Sequence, residues 1–382
     1  AAIIAGMVFG GYSGISRDVL RDFSATGIVH ILSVSGSHIA LVAGVILWLG
    51  GRLKLRFGLT AAGAGISIIM YAVLSGLTAP VVRSAVMGLI ALIAVAVGRE
   101  KDAPNALALA ALAMLGYQPS LLFDVGFQLS FGSTAGLVYL YPRLVAGLGR
   151  LPRWLSGSLA VTLAAQLSVL PFLSWYFNSY SLSAFLANLV VVPVVEVVVV
   201  LSLTGLLIGN LLGPVGGLAL VISSLLLGLV TDMTALLADI PAGKLDLPTV
   251  GPAGGAFYYC LLAWGFGFRP RGIPSLGDLG RKYPLGVATT AIALIWAVGV
   301  YYFRPGPAAV HFIDVGQGDA ALIVSPHGRA VLIDTGGISG ESGFDIGEQV
   351  VLPYLRHQGV RRLDYLFLSH GHQDFSSLWR FS

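Results

Sequence analysis

The chain has 382 residues, of which 56% are hydrophobic and 10% are charged, and its mean hydropathy is +0.86. Soluble domains carry charge on roughly a quarter of their residues, so this composition excludes a water-soluble protein over most of the length. The formal net charge of +4 does not by itself indicate a nucleic-acid partner, because basic residues in a membrane protein report the orientation of its loops.

The first predicted element is an amphipathic helix near 16–25, with the sequence SRDVLRDFSA. Val19, Leu20 and Phe23 form its apolar face, and arginines and aspartates occupy the other face. A short helix of this kind lies on the membrane rather than crossing it. We therefore expect an interfacial helix before the first membrane span.

About ten segments are apolar over the length that a membrane-spanning helix needs, roughly 20 residues. They are 31–49, 57–75, 81–97, 104–116, 121–141, 156–174, 182–208, 214–238, 252–268 and 284–303. The fourth is short, so we expect it to be tilted, re-entrant or buried by its neighbours. The sequence thus predicts an all-α polytopic membrane domain over 1–303.

The basic residues of the loops predict the orientation of these spans. Those on one side of the membrane are Arg52, Lys54, Arg56, Arg99, Lys101, Arg143, Arg150, Arg153, Arg269, Arg271, Arg281 and Lys282. The only basic residue in the loops on the other side is Lys244. Because basic loops stay in the cytoplasm, the amphipathic helix and everything after Phe303 are expected to face outward.

After a linker at 304–307 the pattern changes to that of an α/β domain over 308–382. Three strands, one helix and a further strand are expected at 308–314, 320–324, 330–334, 344–357 and 363–368. This stretch is too short to close a two-layer sheet fold, so we expect an incomplete domain with an open strand edge.

The last predicted strand is followed by the motif H-x-H-x-D at His370, His372 and Asp374. Two imidazoles in a loop after a strand can face one cation, and the carboxylate can hold a second. Such clusters bind Zn²⁺ or Mn²⁺ and generate a bound hydroxide for hydrolysis. A solvated loop without a metal is the alternative interpretation.

The start of the first span is rich in polar side chains. They are Ser33, Ser35, Ser37 and His38. One interpretation is helix packing along the small residues Gly36, Ala40 and Gly44, with serine hydroxyls bonded to their own backbone. The other makes these side chains part of a pore wall or gate, because ionisable groups at membrane depth are usually functional.

Four further polar residues lie in predicted spans. Asp124 and Gln128 are one turn apart, and Asp124 can interact with the start of its helix. Arg83, which follows Pro80, can extend to the interface. Glu196 lies among valines and must be protonated or paired, and Arg83 is one hypothetical partner. All four are candidates for a pore or gate.

Two other patterns indicate packing between helices. Gln166 and Asn188 are candidates for buried polar contacts. A stripe of glycines with a spacing of four residues predicts close helix packing rather than ligand binding, and it comprises Gly205, Gly209, Gly213 and Gly217.

Several stretches together resemble one known family. They are TGIVHILSVSGSH at 26–38, DVGFQLSF at 124–131, FIDVGQGDA at 312–320, LIDTGG at 332–337 and LSHGHQD at 368–374. The membrane stretches resemble those of ComEC-type competence proteins, and the last three look like the start of the metallo-β-lactamase-fold domain fused to them.

The resemblance implies an inner-membrane channel for the uptake of single-stranded DNA during natural transformation, with an extracytoplasmic nuclease-like domain. It implies single-stranded DNA, the lipid bilayer and other competence-machinery proteins as partners. It also implies a Zn or Mn site at His370, His372 and Asp374, with Asp374 catalytic. The fold motif around that site would comprise Asp314, Gln317, Asp319 and Asp334.

The sequence departs from the family pattern in two places. Phe375 stands where the metal motif of the family continues with histidine, and the residues after it do not resemble the family. The earlier helices and a DNA-binding segment of the family are not matched at the start. We therefore expect a truncated metal domain that does not bind its ion stably and has no nuclease activity.

Two other functions are consistent with the residues. A small-solute transporter coupled to ions would depend on an intramembrane acid such as Glu196 and would show inverted repeats, which are not evident in the sequence. A membrane-anchored metallo-hydrolase would use its helices only as a scaffold, leaving His38, Asp124 and Gln128 freely replaceable. Uptake of labelled DNA after substitution of those three residues distinguishes these functions.

Overall fold

The structure of the chain is a computed structural model. It describes residues 2–11, 14–32, 34, 36–98, 102–209, 213–241, 243–268, 307–316, 318–336, 346–360 and 362–369. The chain divides into two compact units. The first contains Ala1–Phe172 and Ser179–Asp246, and the second contains Leu173–Asn178 and Leu247–Ser382.

Helices dominate the chain from its start to residue 268. They are α1 (Ala2–Phe9), α2 (Arg17–Ala25), α3 (Gly36–Arg52), α4 (Phe57–Leu74), α5 (Ala79–Ala96), α6 (Ala103–Tyr117), α7 (Val125–Tyr139), α8 (Tyr141–Gly147), α9 (Arg153–Phe177), α10 (Ser183–Gly209), α11 (Gly213–Ala238) and α12 (Pro252–Gly265). Short 3₁₀ turns precede α3 and α7, at Val29–Leu32 and Pro119–Phe123. Strands β1 (Ser179–Ser181) and β2 (Lys244–Asp246) pair antiparallel.

Five of the described helices are long and apolar enough to cross a membrane, namely α4, α5, α9, α10 and α11. Shorter apolar helices occupy His38–Arg52, within α3, and Ala103–Tyr117, which is α6. The predicted spans at 121–141 and 252–268 correspond to α7 and α12, which have 15 and 14 residues. The predicted span at 284–303 lies outside the described residues. The chain is therefore a mostly helical membrane protein, and the count of ten spans stays a prediction.

Helices α10 and α11 approach each other closely at glycines. A methyl group added at Gly216 would overlap the backbone of Gly209 and would lie 2.8 Å from the Gly205 carbonyl oxygen. The Ser202 and Ser223 hydroxyls meet 2.6 Å apart in the same contact. Small residues permit this approach in lipid, where packing replaces the hydrophobic effect. The packing stripe thus uses Gly205 and Gly209, and Gly216 in place of the predicted Gly213 and Gly217, beside which a methyl group would meet open space.

The predicted amphipathic helix is present as α2, but its apolar face is covered by protein. Phe23 is 1% exposed and belongs to one apolar cluster with Val191 and Val195 of α10 and Val230 of α11. Val19 and Leu20 pack against the same cluster. The polar face of α2 carries the described ion pairs between Arg21 and the aspartates on either side of it. The position of α2 at the membrane surface stays a prediction.

The C-terminal part of the second unit contains a small sheet. Its strands are β3 (Ala309–Phe312), β4 (Ala321–Val324), β5 (Ala330–Ile333) and β6 (Tyr365–Phe367), in that order. The pairs β3–β4 and β4–β5 are antiparallel, and β6 runs parallel to β5. A parallel neighbour requires a crossover, which includes a π-helical turn at Gly347–Val351 and helix α13 (Leu352–His357).

One face of this sheet packs against α13. Leu322 of β4, Leu332 of β5 and Leu355 of α13 are fully buried together. The alternation of side chains along a strand puts Phe312 on the other face, where it is 85% exposed. These strands match the predicted ones. The predicted domain boundaries at 303 and 308 stay predictions.

Candidate functional site

Arg83 of α5 makes a charged polar contact between helices of the first unit. Its Nε donates a hydrogen bond of 2.7 Å to the Ser130 hydroxyl of α7. Its Nη2 donates to the Ser84 hydroxyl at 3.0 Å, and its Nη1 contacts the Met87 sulfur at 3.6 Å. Helix α5 packs against both α3 and α7, so this side chain lies among three helices.

The side chain of Arg83 does not point toward the membrane interface. Helical side chains tilt toward the N-terminus of their helix, and the N-terminus of α5 is the nearer end. The guanidinium instead contacts Met87, which is midway along this 18-residue helix. Arg83 therefore points toward the middle of its helix, in contrast to the snorkelling interpretation.

Arg83 is not paired with Glu196. Within the described part of the chain, no carboxylate lies at ion-pair distance from its guanidinium. The pairing that the sequence suggested is therefore wrong.

His38 occupies the first turn of α3, and its side chain is 3% exposed. Ser33 and Ser35, which precede the helix, lie outside the described residues. The backbone of Ser37 belongs to α3, but its side chain is also outside them. The structure thus places His38 in a buried position and leaves the roles of the three serines as predictions.

Gly36 begins α3 directly beside the Arg83 contact. A methyl group at this position would lie 2.8 Å from the Ser84 hydroxyl oxygen and 3.7 Å from Arg83 Nη2. At Gly44 the same substitution would meet open space. The glycine at the start of the span therefore gives the polar groups of α5 room, and the predicted small-residue stripe does not continue to Gly44.

Asp124 and Gln128 organise the start of α7. Asp124 precedes the helix, and its carboxylate accepts a 2.7 Å hydrogen bond from the Phe127 backbone N–H. It is thus a helix cap, the interaction with the helix start that the sequence suggested. The Gln128 amide donates to the Leu122 carbonyl at 2.8 Å. Its Oε1 is buried without a hydrogen-bond partner in the described part of the structure.

A second set of polar side chains connects α9 with β1 and α10. The Tyr180 hydroxyl donates to Gln166 Oε1 at 2.6 Å, and the Asn188 amide donates to the Thr162 hydroxyl at 3.2 Å. Burial raises the pKa of Tyr180 above its usual range, so its hydroxyl remains a donor at neutral pH. Gln166 and Asn188 were recognised from the sequence as buried polar candidates, whereas Tyr180 and Thr162 were not.

The predicted metal motif of the second unit, at His370, His372 and Asp374, lies outside the described residues, as does Gln317. Among the described residues, no group of three His, Cys, Asp or Glu side chains could hold an ion.

The remaining residues of the predicted motif have structural contacts. The Asp334 carboxylate accepts a 2.7 Å hydrogen bond from the Ser369 N–H, which joins the end of β5 to the residue before His370. Asp314 accepts from Gly316 N–H at 3.1 Å, and the Asp319 carbonyl accepts from Gly336 N–H at 2.9 Å. These contacts shape the loops at one edge of the sheet.

The sequence did not single out Ser84 and Ser130, the two hydroxyls that hold Arg83. Both are buried. Ser84 follows Arg83 directly, and Ser130 belongs to the DVGFQLSF stretch, only two residues after Gln128. A buried arginine needs hydrogen-bond acceptors, so the serines in neighbouring predicted spans were the available signal for the partners of Arg83. The sequence could not show which of these serines accepts, because they are far from Arg83 along the chain.

Long apolar helices with buried polar contacts between them, followed by a small sheet, define a mostly helical membrane protein. The model of the competence protein family matches residues 7–271, and that of the metallo-β-lactamase superfamily matches residues 313–375. The chain belongs to the competence protein family. The resemblance inferred from the sequence motifs is thus confirmed.

The chain is also similar to several curated proteins. It is 27% identical to ComE operon protein 3 of Bacillus subtilis (strain 168), over 97% of the chain and 48% of that protein. It is 27% identical to Competence protein ComA of Neisseria gonorrhoeae, over 96% of the chain and 50% of that protein. The chain therefore spans about half the length of these relatives. No solved structure matches it significantly.

Proposed function

We propose that this chain forms the membrane part of a channel that takes up single-stranded DNA during natural transformation. The observation that carries the proposal is the polar contact of Arg83, Ser84 and Ser130 between otherwise apolar helices. The family match over 7–271 supports a role in competence. The names of the relatives, which include Competence protein ComA, support it as well.

A DNA strand needs such polar groups because it carries one negative charge per nucleotide, which hydrocarbon cannot solvate. Hydroxyl and amide groups can line a wet path without the cost of many buried cations. The described spans supply this combination, with one inward-pointing arginine, two serines that contact it, and the buried amide oxygen of Gln128. These contacts support a path lined mainly by neutral polar groups.

We propose that the protein is in the bacterial cytoplasmic membrane, with the C-terminal domain outside. The distribution of basic loop residues supports this orientation. Within the second unit, the Thr249 hydroxyl donates to the His357 carbonyl at 3.4 Å, and the Trp175 ring meets the His357 ring edge-on. Thr249 and Trp175 belong to segments that flank the loops with few basic residues. Their contacts with His357 therefore support placing the C-terminal domain on the outer side of the membrane.

The C-terminal domain is proposed to be the nuclease-like part. The metallo-β-lactamase match at 313–375 includes His370, His372 and Asp374. In an intact domain of the family these residues would hold Zn or Mn, with Asp374 also catalytic. In this chain Phe375 stands where the motif continues with histidine, so we propose a nuclease-like domain that does not hold the ion stably and is inactive. Other competence-machinery proteins and the lipid bilayer are the further partners that we propose.

One observation favours a second candidate, an ion-coupled transporter of a small solute. Glu196 of α10 and His38 of α3 are ionisable groups on different apolar helices. Ionisable groups at membrane depth mark proton relays in transporters. This candidate requires Glu196 for coupling, whereas a DNA path requires the neutral polar groups near Arg83.

Uptake of labelled DNA tests the channel proposal. The chain is expressed in a transformable bacterium that lacks its own family member, and internalised DNA is counted after removal of external DNA with nuclease. Alanine at His38, Asp124 and Gln128 should lower uptake at least tenfold at equal protein abundance. Transformation that is unchanged in the triple variant contradicts the channel.

A further inference from the structure

Arg83 has hydrogen-bonding capacity that the described residues do not use. A guanidinium carries five N–H donors. Three are directed at Ser130, Ser84 and Met87, so two remain without a described partner, one on each terminal nitrogen. Such a planar pair of donors matches the geometry of carboxylate and phosphate oxygens.

The acceptors around Arg83 do not neutralise its charge. The Ser84 hydroxyl uses its hydrogen on the Pro80 carbonyl, at 2.8 Å, and offers the guanidinium only lone pairs. Ser130 and Met87 are neutral as well. A cation held inside a membrane protein is costly unless it is paired, and no carboxylate pairs with it among the described residues. The contact is therefore short of one negative charge.

The start of α3 adds further positive charge beside Arg83. Gly36, the first residue of the helix, is the position from which a methyl group would reach within 3.7 Å of Arg83 Nη2. The first turn of a helix carries partial positive charge from its unsatisfied N–H groups. Two positive groups this close to each other are stabilised by an anion near both of them. Glycine at position 36 permits the close approach, because a methyl group there would crowd the Ser84 hydroxyl.

We propose that Arg83 is a binding site for a phosphodiester anion, occupied in turn by the phosphates of the transported strand. The inference rests on the proposed function and names the ligand chemistry of that path. Phospholipid headgroups have the same chemistry, but they lie at the ends of membrane helices. Since Arg83 points toward Met87, midway along α5, the strand is the source that fits its direction.

The salt dependence of DNA binding tests the site. The full chain in lipid nanodiscs is titrated with a fluorescent oligodeoxynucleotide at several salt concentrations. For single strands, each phosphate contact contributes about 0.7 to the slope of log K against log salt. Arg83→Gln should lower the slope by about that amount. Arg83→Lys should retain the slope with weaker binding, because it keeps the charge and loses the planar fork.

Arg56→Gln is the matched control, since Arg56 is exposed at the start of α4 and its loss removes the same charge. Its slope should equal that of the wild type. The proposal is overturned if Arg83→Gln has the wild-type slope, or if Arg56→Gln lowers the slope as much. Retained slope in Arg83→Lys shows that the result does not arise from misfolding.

Chemical protection of Arg83 distinguishes the two phosphate sources. The rate of phenylglyoxal modification of Arg83 is measured by mass spectrometry with a phosphodiester oligonucleotide and with an uncharged methylphosphonate of the same sequence. Protection by the first alone, in galactolipid nanodiscs that lack phosphate, supports the site. Equal rates overturn it, as does protection that needs only phospholipid. Protection without DNA uptake would sink the channel and leave the phosphate site standing, whereas uptake without protection would do the reverse.

Discussion

Arg83 Nε and Ser130 Oγ are 2.7 Å apart, and this hydrogen bond joins α5 to α7. The bond has a charged donor, which makes it stronger than a bond between neutral groups. Ser133, one turn further along α7, has the same side chain, but its hydroxyl bonds to the Ser130 carbonyl within its own helix. The two serines therefore differ in whether they connect helices.

Ser130→Ala is expected to destabilise the membrane unit by about 1–3 kcal/mol, because it leaves a buried guanidinium donor without its acceptor. Ser133→Ala should change the stability by less than about 0.5 kcal/mol. Unfolding in detergent, followed by helix signal against denaturant, measures both variants. An equal loss of stability in the two variants would show that the hydrogen bond between Ser130 and Arg83 does not contribute more than a bond within one helix.

Gly36→Ala is expected to destabilise the contact between α3 and α5 and to reduce DNA uptake. The added methyl group would lie 2.8 Å from the Ser84 hydroxyl, so α3 or Ser84 must move at a cost of about 1–3 kcal/mol. Gly44→Ala, on the same helix, is the control, since its methyl group would meet open space. Unfolding and uptake of labelled DNA are measured for both. A stable, active Gly36→Ala protein would argue against the space requirement.

Gly216→Ala should loosen the pair of helices α10 and α11. Its methyl group would overlap the Gly209 backbone, and a backbone atom cannot move aside as a flexible side chain can. A loss of about 1–3 kcal/mol is expected, measured by thermal unfolding in detergent. Gly217→Ala, at the neighbouring position, would meet open space and should be neutral or slightly stabilising. A reversed order of the two variants would contradict this contact.

Tyr180→Phe should cost about 1 kcal/mol, because Gln166 loses the hydroxyl that donates to it. Burial raises the pKa of Tyr180, so the stability that its protonated form contributes is complete below the pKa of an unfolded tyrosine, about 10, and is lost as the pH rises through the higher folded value. The difference between the wild type and Tyr180→Phe should accordingly shrink at strongly alkaline pH. Tyr117→Phe, at a side chain that is 90% exposed, is the control for unfolding measured against pH.

Asp334→Ala should increase the mobility of the backbone that follows β6. Asp334 has a φ of +53°, which aspartate and asparagine tolerate better than alanine, and its carboxylate holds the Ser369 N–H. Hydrogen exchange at Ser369 should accelerate in Asp334→Ala and less so in Asp334→Asn, which keeps an acceptor oxygen. Asp314→Ala removes a different carboxylate of the same domain and should not alter exchange at Ser369. Unchanged exchange in Asp334→Ala would remove the positioning role of this carboxylate.

Local features of this protein could be predicted from the sequence, because the groups involved are neighbours along the chain. Asp124 caps α7 through an N–H three residues away, and the strands of the second unit follow from alternation and turn residues. The long apolar helices follow equally directly from their composition. The interactions that make these features depend on a few consecutive residues.

Contacts between helices could not be predicted in the same way. Arg83 and Ser130 are separated by 47 positions, and nothing in the spacing of either helix selects one serine over another. The glycine stripe was recognised, but its contact residues depend on how α11 is rotated, which selects Gly216 over Gly217. The amphipathic pattern of α2 is likewise the same whether lipid or protein covers its apolar face.

The two kinds of helix contact in the first unit also differ mechanically. Where α10 and α11 interlock at Gly209 and Gly216, separation would leave voids that neither side chains nor water can fill without loss of packing. The bond between α5 and α7 can be exchanged for one to water or to a phosphate oxygen at little net cost. We therefore expect that, when the helix bundle widens, α10 and α11 move as one rigid body and the gap opens between α5 and α7.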